Sequence, residues 1–173
     1  MASRGIGSVF PSDFNTIQIK RNKKTSSHAY TTKVRRGVVK ISFNPKKHKS
    51  HNADRRIGKL AQTFSHEMFV HARRDLTAHS QDVPTDTADN DHRRMHSAMH
   101  RDSFLQASRG TFNALENSTQ KQAFAESFSK DVINELSGLG LSKHEKTERK
   151  QWARARRDSM IDAITNPQDH DWT

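Results

Sequence analysis

Three side chains suited to metal and proton chemistry lie within six positions of one another in the stretch TFSHEMFVHARRD, residues 63–75. His66 and His71 carry imidazoles, which are common zinc ligands, and Glu67 carries a carboxylate that can act as a general base. The apolar residues between and around them repeat at helical spacing, so the segment is predicted to be an amphipathic helix. These features together raise the hypothesis of a zinc centre that activates water.

The separation of the two histidines sets a condition on this hypothesis. In the H-E-x-x-H pattern the histidines are four residues apart, about 40° round an ideal helix, and both reach one ion. Here they are five apart, which places His66 and His71 about 140° apart at roughly 100° per residue. A π-bulge absorbs one extra residue and often occurs at functional sites. We therefore expect a π-bulge between them if they share a metal. The alternative is an ordinary amphipathic helix with His66 in solvent.

A third protein ligand is expected, because catalytic zinc typically takes three side chains and leaves one position for water. The downstream stretch DNDHRRMH, residues 89–96, supplies most of the candidates. His92 is the preferred ligand and His96, one helical turn further, is the second choice; Asp91 and His79 are further alternatives. A histidine that does not bind the metal could orient one that does. Without a metal, this stretch is a basic helix face.

The elements that would position these residues begin with a sheet. Residues 1–13 are predicted to be a loose N-terminal segment, and residues 14–45 a small antiparallel sheet. Ile17 and Ile19 alternate with polar residues, and two more strands flank Arg36-Gly37. The last strand, Val38–Phe43, could hold an extended substrate by strand addition.

After the sheet, the hydrophobic period changes to that of a helix at Ile57. We expect the active-site helix at 57–79, an acidic loop, and a helical part at 89–165, with a short separate helix around Phe112. Within the helical part three end signals are expected: a cap at Ser118, a left-handed Gly138 or Gly140, and a capping box of Ser142 with Glu145. The predicted fold is α+β. A small N-terminal antiparallel sheet packs on a metal-binding helix, and a helical C-terminal part follows, all in one domain over 1–173.

Composition limits the classes of protein and site. The length of 173 residues suits one domain, and a hydrophobic content of 31% implies a lean core. The chain contains no cysteine, which excludes disulfides and thiolate metal sites. The sequence has no apolar run of the length of a membrane span or a signal-peptide core, so export would need a specialised secretion machine or a carrier.

A formal net charge of +11 predicts non-specific binding to polyanions. The basic residues form clusters along the chain, but aromatic residues do not interleave with them as they do on a base-stacking surface. No nucleic-acid-binding signature is present either. We therefore expect a solvated basic surface rather than a dedicated nucleic-acid groove.

The stretch LAQTFSHEMFVHARRD, followed by DNDHRRMH, resembles the zincin-like metallopeptidase domains at the C-termini of bacterial polymorphic toxins, including Rhs-type and type VI secretion effectors. The resemblance covers roughly residues 30–105, and the histidine spacing makes the chain an HExxxH variant. It implies a zinc-dependent peptide or amide hydrolase that is delivered into a target cell by a specialised secretion system. A protein or peptide substrate and a cognate immunity protein are implied as partners. On the matched positions, His66, His71 and His92 are the zinc ligands and Glu67 is the base that activates metal-bound water.

Two other functions stay open at the level of sequence. A metal-dependent nuclease toxin would suit the basic surface and the histidines beside Asp91. Against it, nuclease sites of the HNH type need a ββα-metal unit, whereas here the histidine pair and Glu67 lie in one helix. A non-catalytic, basic nucleic-acid-binding protein is the second alternative.

Overall fold

The structure is a computed structural model that describes residues 16–22, 28–35, 38–72, 92, 96 and 98–167. Three strands come first in the chain, and α-helices interrupted by one π-helical segment follow. The predicted α+β class with a helical C-terminal part is confirmed. The elements are β1 (Thr16–Arg21), β2 (Ala29–Arg35), β3 (Val38–Phe43), α1 (Ala53–His66), the π segment (Glu67–Ala72), α2 (Ala98–Asn113), α3 (Ser118–Glu135) and α4 (Lys143–Thr165).

The sheet has the order β1-β3-β2. β2 and β3 pair antiparallel on either side of residues 36–37, as predicted, but β1 pairs with β3 in parallel, so the expectation of a purely antiparallel sheet is wrong. β3 contains the buried Val39 and Ile41 and takes the central position, whereas β1 is largely exposed and lies at an edge. Alternating hydrophobicity defines the faces of β1 but contains no information on its partner or direction, which is why the sequence did not predict the parallel pairing.

One face of the sheet packs on the segment that carries the histidines. Val39 and Ile41 are fully buried there and form a core with Ala29 and with Met68 of the π segment. Ile17, Phe43 and Phe64 pack against this core. Burial of these apolar side chains provides the main stabilisation of the contact between sheet and helix. The predicted packing of the sheet on the candidate metal-binding helix is confirmed.

The chain forms two compact units, and the boundary between them falls within α1 and again near the end of α2. Unit 1 comprises residues 1–49 and 63–111, and unit 2 comprises 50–62 and 112–173. In unit 2, α3 and the residue that follows it bury an apolar stripe, as the four-residue spacing predicted. The stripe consists of Phe124, Phe128, Val132 and Leu136. Phe128 also packs on Trp152 of α4, with the ring centroids 6.0 Å apart. The assignment of 1–173 to a single domain stays a prediction.

Two helix boundaries differ from the predictions. α1 begins at Ala53 rather than Ile57, because Asn52 caps it: its Oδ1 accepts a hydrogen bond from the backbone N of Arg55 at 3.0 Å. Phe112 lies inside α2 rather than in a separate short helix. None of the described helices combines the length and the apolar character needed to cross a membrane.

The helix ends of unit 2 largely follow the sequence. α3 is capped by Asn117 rather than Ser118, since the Asn117 side chain accepts from the backbone N of Gln120. The capping box of Ser142 with Glu145 at the start of α4 is confirmed. Of the two candidate glycines, Gly140 has the left-handed conformation, with φ +64°.

Candidate metal centre

The π segment begins directly after His66 and includes His71. The widened turn that a shared metal requires is therefore present between the two histidines, and this prediction is confirmed. A π-helix pairs residues five apart along its backbone, so side chains with that separation lie roughly on the same side. The ring centroids of His66 and His71 are accordingly 5.2 Å apart.

His92 completes a compact triangle with the other two imidazoles. Its ring centroid lies 5.3 Å from that of His66 and 5.1 Å from that of His71. One ring nitrogen from each histidine can be chosen so that all three lie within 4.8 Å of one another. Nitrogens that share a tetrahedral zinc, each about 2.0–2.1 Å from the ion, lie about 3.4 Å apart, so small side-chain rotations suffice to close the group. These three histidines form a group that can hold a metal ion.

The surroundings of the group differ from one histidine to the next. His66 is buried, with 9% of its surface exposed, and its ring meets Phe104 of α2 edge-on at 6.4 Å. Phe69 of the π segment contacts the same phenylalanine at 5.5 Å. His71 and His92 are only partly buried. A metal held by the three would have apolar walls behind His66 and a more open side near the other two histidines.

Burial favours the neutral form of His66, which is the form that can bind a metal ion. Loss of solvation lowers the pKa of His66 well below its ordinary value, and the nearby His71, His92 and His96 lower it further. The His66 imidazole is therefore neutral at neutral pH, with a ring-nitrogen lone pair available for coordination.

Glu67 lies in the same turn, with only 5% of its surface exposed. Burial raises the pKa of its carboxyl above the ordinary value, while His71 and hydrogen bonds from Thr31 oppose the shift. The Thr31 hydroxyl of β2 donates to Oε2 of Glu67 at 2.8 Å. A buried carboxylate held in this way is a base whose proton affinity is higher than that of an exposed glutamate.

Thr31 is the site residue that sequence reasoning missed. It is 36 positions from Glu67 along the chain, and a threonine in a β-strand is ordinary. Only the packing of β2 against the π segment brings its hydroxyl to the carboxylate. To find it, one would have to know which residues of β2 face the helix that carries Glu67.

Of the other candidate ligands, the structure describes only His96, and His96 does not belong to the group. His96 is buried, and its backbone N donates to the carbonyl of His92 at 3.0 Å, but its ring is not among the three that converge. It is close enough to influence the pKa of His66. Asp91 and His79 lie outside the described residues.

The predicted substrate strand is not available. β3 is paired on both sides, with β1 and with β2, so it cannot accept an additional strand. Among the described residues, β2 has one unpaired edge and contacts the π segment through Thr31. The strand edge that lies beside the candidate metal centre therefore belongs to β2 rather than β3.

Comparison of the chain with protein-family models, with curated proteins and with solved structures gave no match. The description of the site consequently rests on the residues and their geometry.

Proposed function

We propose that this protein is a zinc-dependent peptide or amide hydrolase. The observation that supports this most strongly is the π-helical turn, which places His66 and His71 beside His92 and keeps a buried Glu67 in the same turn. A regular helix would direct the two histidines to different sides, whereas a π turn between them allows both side chains to reach one ion.

Each residue has a defined role in this proposal. His66, His71 and His92 would hold zinc, and three side chains leave one position of a tetrahedral ion for water or substrate. When bound, zinc supplies Lewis acidity, which acidifies water and polarises a carbonyl. Glu67 takes the proton from the attacking water and passes it to the leaving nitrogen, for which its raised pKa is favourable. Thr31 fixes the orientation of the Glu67 carboxylate.

The unpaired edge of β2 supports a protein or peptide as the substrate. An extended peptide can add to a strand edge through backbone hydrogen bonds, and Thr31 of this strand donates to Glu67. The resemblance to toxin domains extends the proposal: the hydrolase would be an effector delivered into a target cell by a specialised secretion system, with a cognate immunity protein as partner. The basic composition instead favours the second candidate, a metal-dependent nuclease.

The Glu67→Gln variant separates these functions. We expect zinc-loaded wild type to create new peptide termini in a mixed proteome, and the variant to lose this activity by about a thousandfold or more, because the amide cannot accept the proton. Terminal-peptide mass spectrometry measures the effect, with plasmid DNA and purified peptidoglycan as parallel substrates. Zinc content of the variant serves as the control and should equal that of wild type. DNA cleavage that persists in Glu67→Gln, without new peptide termini in wild type, would refute the peptidase.

Thr31→Val tests the orientation of the base. Valine has a similar shape but no hydroxyl, so Glu67 loses a hydrogen bond to a charged group, which contributes about 1.5–3 kcal/mol. We expect the hydrolytic rate to fall by about tenfold or more, with zinc content unchanged. Thr31→Ser keeps the donor and should retain most of the activity. Equal loss in the valine and serine variants would show that the methyl group, rather than the hydroxyl, matters at this position.

A further inference from the structure

The net charge of the chain originates in the sheet segment, defined here as residues 14–53. No Asp or Glu occurs between Asp13 and Asp54, whereas eleven Lys and Arg residues do. The other 19 basic residues are balanced by the 19 acidic residues of the chain, so the segment accounts for all of the net charge of +11. The basic residues are Lys20, Arg21, Lys23, Lys24, Lys33, Arg35, Arg36, Lys40, Lys46, Lys47 and Lys49.

The fold gathers several of these cations at one end of the sheet. β1 and β3 run parallel, so their carboxyl ends meet at the same end, where Arg21 lies opposite Phe43. The turn that follows β3 adds Lys46, Lys47 and Lys49, all exposed. Lys20 is also exposed and lies on the sheet face opposite the buried Val39 and Ile41. The segment itself contributes no carboxylate to this end of the sheet, so the charge that it supplies there is entirely positive.

The edge strand β1 adds two further features of a binding surface. In the described part of the chain it is paired on one side only, with β3, which leaves backbone donors and acceptors at its outer edge. Ile19 lies opposite the fully buried Ile41 in the parallel register, yet 65% of its surface is exposed. Apolar surface therefore continues beyond the core at the edge of β1, flanked by Gln18 and Lys20.

We propose that the β1 edge and the adjacent lysines bind an acidic polypeptide in extended conformation. Such a partner matches all three features: carboxylates for the cations, a backbone for the strand edge and an apolar side chain for Ile19. A nucleic acid fits less well. The described cations at this end are mostly lysines rather than the arginines that pair with phosphate through two hydrogen bonds. Among the described residues at this end, no exposed Phe, Tyr or Trp offers a surface for base stacking.

This inference does not depend on zinc or on Glu67, because the surface belongs to β1 and the end of β3, whereas the candidate metal centre lies beside β2. It adds a second type of contact, recognition of an acidic protein segment.

Binding of a fluorescein-labelled poly-glutamate peptide, measured by fluorescence anisotropy, tests the proposal. We expect the triple variant Lys46→Gln, Lys47→Gln, Lys49→Gln to bind about fivefold or more weakly than wild type, since each exposed ion pair contributes a factor of about two to five. The matched control removes the same charge from exposed positions of α4 in the triple variant Lys143→Gln, Lys150→Gln, Arg154→Gln, and should change affinity less than twofold, about the effect of one ion pair or less.

A second pair of variants tests the β1 edge. Ile19→Asp places a carboxylate on the surface and should weaken binding by a factor comparable to that of the Lys46/Lys47/Lys49 variant. Ile57→Asp changes the other large hydrophobic residue that is exposed in the described part of the chain, on α1, and should have no effect. Equal losses in the Lys46/Lys47/Lys49 variant and in the α4 control variant would show that net charge alone explains the binding, and would overturn the proposal. Tighter binding of duplex DNA than of poly-glutamate at equal charge concentration, lost in the Lys46/Lys47/Lys49 variant, would overturn it in favour of nucleic acid.

Discussion

His66→Ala, His71→Ala and His92→Ala are each expected to abolish the binding of one zinc ion per chain at micromolar concentrations. The three rings converge within ligand distance of one another, and no cysteine can substitute for a missing imidazole. Zinc sites with four protein ligands gain about 10–16 kcal/mol, or about 2.5–4 kcal/mol per ligand, so removal of one ligand lowers affinity by about a hundred- to a thousandfold.

Metal content after dialysis and titration calorimetry measure this effect. His144→Ala is the matched control, because His144 lies on α4 with its side chain 84% exposed and its Nε2 3.6 Å from the carboxylate of Glu148, one helical turn away. Zinc should also raise the melting temperature of wild type and of His144→Ala, by mass action, but not that of the three site variants. A wild-type protein that binds no zinc, or a His71→Ala variant that binds it as tightly as wild type, would refute the metal centre.

The π segment shows what sequence reasoning can achieve when chemistry constrains it. Hydrophobic periodicity alone predicts a regular helix over residues 57–79. The additional requirement that His66 and His71 share one ion predicted the inserted residue, and the structure has a π-helix from Glu67 to Ala72. The choice of His92 over His96 was weaker, because the two lie on the same face of a helix and spacing does not distinguish them.

Features that depend on contacts distant in sequence were not predictable. β1 has the alternation of a strand, but alternation is the same whether it pairs with β2 or β3, parallel or antiparallel. The contact of Thr31 with Glu67 follows from that sheet arrangement and was missed for the same reason. At the start of α3 the predicted N-cap differed from the observed one by a single residue. Asn117 and Ser118 both have side chains suited to this position, and Asn117 occupies it.

The origin of the net charge could have been found from the sequence, but the clusters of basic residues along the chain do not reveal it. Lysine and arginine occur throughout the chain, whereas Asp and Glu are absent from the whole of residues 14–53. Because β1 and β3 are parallel, the fold brings their carboxyl ends together, and several cations of that segment lie at one end of the sheet. A stretch without acidic residues is therefore as informative about the position of a charged surface as a cluster of basic residues is.

Gly58→Ala is expected to destabilise unit 2 by about 3 kcal/mol, the upper part of the range for overpacking a helix contact. A Cβ at this position of α1 would lie 2.1 Å from the backbone carbonyl oxygen of Gln120 and 3.0 Å from Cβ of Ala123 in α3. Backbone atoms cannot yield as a flexible side chain can, so the two helices must move apart. The Gln120 side chain also donates to Asp54 at 2.9 Å, and this bond would be strained by the same movement.

Gly110→Ala is the matched control for this prediction. Gly110 also lies within an α-helix, α2, but a Cβ there has no described neighbour within 4 Å. Alanine should stabilise that helix by up to about 1 kcal/mol, because glycine has the greater conformational freedom in the unfolded chain. Urea denaturation of both variants measures the difference, and the melting temperature of Gly58→Ala should fall by about 6–12 °C. If both substitutions changed stability in the same direction and by a similar amount, helix propensity alone would explain them, and the close approach of α1 and α3 at Gly58 would be refuted.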